Sequence, residues 1–486
     1  MTHTPATRLR FISRLTKKLT TQSVLIVGLF ALLATSPLFA RKVSAQSIVC
    51  AITSPTSHRG TAIYEIGKTW TGTRVFPGSA VTPQGELVVA YYDESRYLTI
   101  AALNLHTGSV CRRHLPSRFG GWDAHNTVSV AVSQDGVLHV TGNHHNSPLF
   151  YASGKSDNLS AIAVADMVGK EEDRVTYPTF LRDRTGRLAF LYRNGSSGAG
   201  TWYVNRWAGT KWVRVGAVFA EKDSIAQTSA YPSAFVADSQ GITHVAVVWR
   251  RSPDLSSNFA ISYVQTSDFQ SWRGLSGAFK RGPVSPESGD VIDQPGPHSG
   301  LLNSAQLYLT PEGRPLILYL RYGEAGTDSL YLAYANNEAW QVLELASSKR
   351  RTLAVGGGTV SGLPVFSVAQ SNWYLHVKLR FPPDEVRQFG IDLRSMTLSD
   401  TSVAARESQG ASVPLPELPK GMAAPIHVRH PVLSSGFDGA VVGHLHWFAQ
   451  TPNRDQSLPC TPAAPHACAP PPATLRFATP GINGWR

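Results

Sequence analysis

DAHNTVSVAVSQDGVLHVTGNHHNSPLFY, running from Asp123 to Tyr151, decides how this chain is read. Apolar and small polar residues alternate up to a Gln-Asp-Gly turn and alternate again after it, the pattern of two paired strands. His125 lies ten residues before Asp135 at the turn, and His145 lies ten residues after it. Pairing around that turn brings both imidazoles side by side at the open end of the hairpin. Taken alone, two adjacent imidazoles suit either proton transfer or a metal.

The same turn recurs along the chain. TPQGELVVAYY has its glycine at Gly85, SQDGVLHV at Gly136, RTGRLAFLYR at Gly186 and DSQGITHVAVVWR at Gly241. PEGRPLILYLRY follows at Gly313, VSGLPVFSV at Gly362 and GFDGAVVGHLHW at Gly439, giving intervals of 51, 50, 55, 72, 49 and 77 residues. Helical periodicity is almost absent. A period near fifty made of short strands predicts an all-β chain, a seven-bladed β-propeller of four-stranded antiparallel blades. The long intervals coincide with loop-like insertions, Pro283 to Pro297 and Asp400 to Pro425. Tyr263 to Trp272, YVQTSDFQSW, resembles a degenerate Asp-box turn.

Hairpin arithmetic extends to the next two repeats. Tyr177 and Arg193 lie eight residues either side of Thr185, and Tyr231 and Arg250 nine or ten either side of Gln240-Gly241. Three successive blades therefore offer His/His, Tyr/Arg and Tyr/Arg pairs at one end. His139 and His244 sit mid-strand and read as structural, and strand parity turns His144 away from His145. Arg193, beside Asn194-Gly195, is costly to bury without an anion, whereas Arg250 could pair with Asp254.

No nucleophile elbow, phosphate loop or His-Glu-x-x-His pair occurs. Glycosidase chemistry needs two facing carboxylates, and the acid near these hairpin ends is Asp123. A His/Tyr/Arg set suits β-elimination on a uronic acid instead. An Arg or His binds the carboxylate, a His or Tyr removes the neighbouring C5 proton, and a second such group protonates the leaving oxygen. That reaction requires no cofactor. A structural metal is possible, but no ligand cluster at metal-site spacing identifies one, and no metal ligand is assigned.

The N-terminus reads as a targeting segment. Arg8, Arg10, Arg14, Lys17 and Lys18 precede an apolar run from Val24 to Leu33 and then Pro37, the layout of a secretory signal over residues 1–45, with an uncleaved anchor as the alternative. Without the seven Lys/Arg of that segment the formal charge falls from +12 to +5. A mild positive balance suits an anionic polysaccharide as partner, and the lack of basic–aromatic blocks argues against nucleic acid. Secretion or periplasmic export follows, with no membrane association beyond the possible anchor and a monomer expected. Four cysteines in an exported chain suggest two disulfides, Cys460 with Cys468 and Cys50 with Cys111, among three possible connectivities. The expected organisation is a propeller over 46–451 and a Pro/Ala-rich tail over 452–486 that wraps the surface.

The stretches Asp123–Tyr151 and VTYPTFLRDRTGRLAFLYRNGSSGAG resemble the BNR-repeat family that includes seven-bladed propeller ulvan lyases, with similarity from about Gly78 to Gly277 and the strongest motifs in residues 121–206. The resemblance implies a polysaccharide lyase acting next to uronate in a sulfated, ulvan-like glycan. It assigns base and acid to His125 and Tyr177, carboxylate neutralisation to His145 and Arg193, and substrate contacts to Asn126, Asn143, Tyr231 and Arg250. One departure stands out: Asn258-Phe259-Ala260 replaces an expected Asn-His-Asp run, so a substrate-holding histidine is missing. Two rivals remain, a sialidase-type hydrolase with three arginines around one carboxylate (Arg74 being a hint of the first) and a non-catalytic glycan-binding propeller.

Overall fold

The computed structural model describes residues 47–336, 339–357, 360, 362–399, 414–434 and 440–480. The expected targeting segment and Gly439 lie outside the described residues, as does most of the Asp400–Pro425 insertion. Among the described residues the chain is all-β, with two single 3-10 turns, Leu159–Ala161 and Leu255–Ser257, as its helical content.

Among the described residues, seven antiparallel sheets of four or five strands follow one another along the chain, with one additional two-stranded ribbon. In the second sheet the order is Ala163–Val164, Tyr151–Lys155, Val137–Thr141, Ser129–Val132, so each strand pairs with its sequence neighbour. The third (Val175–Arg182, Leu188–Ser196, Ala199–Trp207, Trp212–Ala217) and the fifth and sixth repeat that meander. The seventh joins both ends of the chain: Thr61–Thr69 pairs with Ala473–Thr479, which pairs with Val441–Gln450.

That last pairing corrects the expected boundary at residue 451. The sequence before Ala473 is Pro/Ala-rich, but ATLRFAT alternates, and Leu475 and Phe477 are buried in the core. Ala473–Thr479, within the expected tail, is therefore part of the seventh sheet. Cys460–Cys468 clips the loop leading into it, and Cys50–Cys111 joins directly paired strands of the first sheet.

Five of the repeated glycines, Gly85, Gly136, Gly186, Gly241 and Gly313, occupy the turn between the first two strands of their sheets with φ of 74–82°. A side chain is strained there, which explains the recurrence of glycine. Gly362 departs from the pattern, because it precedes its sheet, whose first turn is formed around Asn372.

The central strands Leu87–Tyr92, Thr243–Arg250 and Asn258–Thr266 are buried along their whole length. Each has neighbours on both faces. Leu87, Val89 and Tyr91 pack with Leu445 and Trp447 of the seventh sheet, while Val88, Ala90 and Tyr92 pack with Val130 and Val140 of the second. The same face-to-face stacking links second to third, third to fourth, fourth to fifth and fifth to sixth. Residues of the first strands, including Val81, Val132, Phe180 and Val236, line a cavity of about 430 Å³. Turns thus gather at one end of the strands, and longer loops leave from the other.

Candidate active site

Ser129 pairs with Thr141 and Val132 with Leu138. Continued outward, this register sets position 125 opposite 145, yet both histidines lie beyond the strand ends, in loops. Asp123 holds them together. Nδ1 of His125 is 2.5 Å from Oδ1 of Asp123, and Nδ1 of His145 is hydrogen-bonded to Oδ2. Oδ1 also accepts the His125 backbone N–H at 2.9 Å, an Asx turn that fixes the carboxylate. The two rings stack with centroids 4.5 Å apart.

Burial pushes the Asp123 carboxyl up, but the hydrogen bonds of His125 and His145 outweigh it and hold it well below the usual range. For His125, burial pulls the imidazole down. The Asp123 hydrogen bond and charge, aided by Asp455, outweigh that and leave it raised. An ionised carboxylate can only accept, so Nδ1 is the donor in each contact, which leaves the Nε2 sides of the rings for other partners. One ligand atom from each of Asp123, His125 and His145 lies within 4.8 Å of the others, close enough to share a cation. Spacing along the chain did not reveal this cluster. The Asp-x-His spacing was the available signal for Asp123, to which the sequence reading assigned no role.

Tyr177 and Arg193 also meet, although not as a ladder pair. Thr176 faces Arg193, Thr179 faces Leu191, and a bulge lies between. Tyr177 sits in that bulge before Pro178 with φ +58°, a strained conformation for an aromatic residue. The bulge carries its ring to 4.9 Å from the Arg193 guanidinium and 5.8 Å from the His125 ring, with Trp202 stacked at 5.9 Å. Burial pushes the phenol up, so Tyr177 stays protonated.

Arg193 is 2% exposed, its Nε has no hydrogen-bond partner, and among the described residues no carboxylate lies within 4.0 Å of its guanidinium. The space for it comes from Gly200, where a Cβ would lie 2.7 Å from Arg193 Cδ.

In the fourth sheet Tyr231 faces Val248 and Arg250 faces Ser229, so the expected pair is offset by two residues. The Arg250 guanidinium still reaches 4.1 Å from the Tyr231 ring. Its Nε donates to Asn258 Oδ1 at 2.7 Å, and Ser197 Oγ bridges it to the Tyr231 hydroxyl. The suggested Arg250–Asp254 pair does not form; Asp254 instead accepts the backbone N–H groups of Ser256 and Gly356. The charges of Arg193, Arg250 and Asp123 all act on Tyr177, so the two Tyr/Arg pairs and Asp123 share one neighbourhood.

Asn126 and Asn143 are both tied into the chain around the histidines. The Asn126 amide donates to the Asp123 carbonyl, its own carbonyl accepts from Tyr92, and it is buried. The Asn143 amide donates to Ser117 and to the Arg118 carbonyl. Both shape the loops that carry the histidines. Asn258 ties Arg250 to the Leu301 carbonyl, while Phe259, at the place of the missing histidine, is buried beneath the Arg251 guanidinium at 3.8 Å. His139 is bonded to the Tyr151 hydroxyl and His244 to that of Tyr263, and His144 Nε2 accepts the Phe150 N–H. All three are buried structural groups, as strand position had implied for His139 and His244; for His144, strand parity had implied only that it points away from His145.

No curated protein matches the chain. Among solved structures, the polysaccharide lyase Uly1 superposes with a TM-score of 0.51 at 13% identity, over 90% of this chain and 98% of that one. An oligogalacturonate lyase in complex with manganese (TM-score 0.39, 10% identity, 91% and 99% covered) is also similar. So is a Penicillium chrysogenum α-L-arabinanase (0.35, 10%, 88% and 99%). The Uly1 likeness is one of fold, and it makes this architecture propeller-like. The model of the BNR repeat-containing family matches residues 88–348, and the chain belongs to that family.

Proposed function

We propose that this chain is an exported seven-bladed β-propeller that cleaves a uronate-containing, ulvan-like anionic polysaccharide by β-elimination. The observation that carries the reading is Arg193, a buried cation with no anion of its own among the described residues, placed beside Tyr177 and the histidine pair. An uncompensated buried charge costs several kcal/mol, roughly, and a substrate carboxylate would remove that cost. Seven stacked sheets and a shared first-strand cavity fit seven blades, and two disulfides fit an oxidising compartment.

In this reading the uronate carboxylate lies against Arg193, with Arg250 as a second cation nearby. Neutralising it makes the C5–H more acidic and stabilises the charge that develops as the proton leaves. His125, oriented through Nδ1 by Asp123, takes the C5 proton. The electron pair forms the C4=C5 bond as the C4–O bond breaks, and the Tyr177 hydroxyl gives its proton to the departing oxygen. The 5.8 Å between the His125 and Tyr177 rings lets both reach one sugar. A hydrolase gains no support, since the Asp123 carboxylate is held between two imidazoles.

The test is incubation with a panel of uronate polysaccharides, including sulfated ones, while following the ultraviolet absorbance of the unsaturated uronate. Growth of that band with wild type and its loss with His125→Ala is expected. Glycan binding without turnover across the panel would favour the non-catalytic reading and overturn this one.

A further inference from the structure

We infer that Asp123, His125 and His145 form a binding site for a divalent transition metal ion of the Zn²⁺ class, and that its occupation blocks the histidine pair. A ligand atom from each of the three side chains lies within 4.8 Å of the other two. Two of the three pairings, carboxylate to His125 and carboxylate to His145, are already direct contacts through Nδ1. Tetrahedral ligands about 2.0–2.1 Å from zinc stand roughly 3.3 Å apart, so small rotations of the stacked rings open the cluster enough to admit an ion. None of the three is sealed in: the side chains are 17%, 23% and 34% exposed. An ion can therefore enter, and its fourth position is left for water.

The donor set fixes the class of metal. Two imidazoles and one carboxylate match the His/His/acid sets of three-ligand zinc sites, whereas Mg²⁺ and Ca²⁺ prefer shells of oxygen. The carboxylate supplies one negative charge, and Asp455 adds to the negative potential at His125. Arg193 opposes it.

The consequence for turnover rests on the lyase reading; the binding itself does not. A neutral imidazole has one ring lone pair. When Nδ1 of His125 gives that pair to the metal, Nε2 carries the hydrogen, and the ring can no longer accept a C5 proton. The hydrogen that a neutral ring carries on Nδ1 against Asp123 moves through solvent to Nε2 as the metal takes the Nδ1 lone pair, so each ring keeps one hydrogen and no net proton is released.

The experiment is calorimetric titration of ZnCl₂ into the chelator-treated full-length protein, with MgCl₂ and CaCl₂ as separate arms. It is repeated on Asp123→Asn, His145→Ala and His446→Ala. The last variant probes a second close imidazole pair, His427 Nε2 and His446 Nδ1 at 3.2 Å. One Zn²⁺ per chain is expected, unchanged by His446→Ala and weakened about tenfold or more by each of the other two, with no binding of Mg²⁺ or Ca²⁺. Absence of Zn²⁺ binding, or binding indifferent to Asp123→Asn and His145→Ala, overturns the site. Anomalous scattering from a zinc-soaked wild-type crystal is independent of variant folding: density between the three side chains supports the site, and density elsewhere overturns it. If the protein turns over a glycan, Zn²⁺ must slow it and chelator must restore it. Acceleration by Zn²⁺ would overturn the blocking role while leaving the site in place.

Discussion

Replacing Arg193 with methionine should make the protein at least as stable and nearly inactive at once. The guanidinium is 2% exposed and lacks a carboxylate among the described residues; its stem lies over Gly200, and its charge is met by the face of Tyr177 at 4.9 Å. A cation–π contact of this kind returns about 1 kcal/mol. Exchanging buried ionic groups for apolar ones of similar volume stabilises by roughly 1–4 kcal/mol. The net expectation is a gain of about 0–3 kcal/mol, a rise of up to a few degrees in Tm. Turnover should move the opposite way. A guanidinium that binds a carboxylate through two charge-assisted hydrogen bonds, each worth roughly 1.5–3 kcal/mol, removes about 3–6 kcal/mol of transition-state stabilisation when it is lost. That corresponds to a fall of roughly 10²–10⁴ in kcat/KM. Differential scanning calorimetry and initial rates on one preparation of Arg193→Met measure both. A Tm several degrees below wild type would show that Arg193 is a satisfied structural cation, and the case for a substrate carboxylate would collapse with it.

Three further outcomes follow from the same geometry. Gly200→Ala places a methyl group 2.7 Å from Arg193 Cδ, so it should displace the guanidinium and raise KM with little change in thermal stability; an unchanged KM would show that the stem adapts freely. Tyr177→Phe keeps the contacts to Trp202 and Arg193 but removes the proton donor, so it should lower kcat by about 10²–10⁴ while glycan binding to the variant persists. Burial pushes His139 and His144 down to about 3 from 6.5, so both stay neutral when folded and accept a proton on unfolding. Stability is therefore complete above pH 6.5 and falls as pH drops from 6.5 toward about 3, by up to about 1.4 kcal/mol per pH unit for each histidine. Urea melts at pH 7 and pH 5 check this, and equal midpoints would contradict it.

The fold was legible because its period is written in backbone chemistry. A left-handed φ at Gly85, Gly136, Gly186, Gly241 and Gly313 admits few other residues, so the spacing survives in the sequence. Regular register explains why His125 and His145 could be placed opposite each other by counting from Asp135. Counting failed where the backbone is irregular. Tyr177 is displaced by a bulge, and a bulge adds one residue without leaving a mark in composition. Asp123 was hidden for another reason: its importance lies in a contact with His145 across the open hairpin end. Asn126 and Asn143 look like substrate ligands in a motif, and counting could not show that the buried Asn126 amide and the half-buried Asn143 amide also bond to loop backbone and a neighbouring side chain. Ala473–Thr479 escaped because seven alternating residues carry little weight beside twenty Pro/Ala-rich ones.

The distribution of strain joins fold to site. At the turn end of five hairpins positive φ falls on glycine, which bears it without a Cβ clash, and Asn372 takes that place in the sixth sheet. At the other end it falls on Asn143, Asn146 and Tyr177, with φ of 69, 55 and 58°. Left-handed backbone costs a non-glycine residue of order 1 kcal/mol or more, and such residues persist only where the surroundings over-determine them. Here the surroundings are specific. Asn143 is tied to Ser117 and Arg118, the Asn146 N–H donates to Thr176, and Tyr177 is packed between Trp202 and the Arg193 guanidinium. The Asn146–Thr176 bond joins the loop that carries His145 to the strand that carries Tyr177. The two halves of the site are therefore set relative to each other by backbone of adjacent sheets, not by the length of flexible side chains. Relaxing the strain with glycine at position 177 would remove the ring along with it, whereas Asn143→Gly relieves the backbone and removes only an amide. Asn143→Gly should therefore leave the sheets intact while loosening the His145 loop. If the strain is what holds the histidine pair against Tyr177, this variant loses turnover without losing stability.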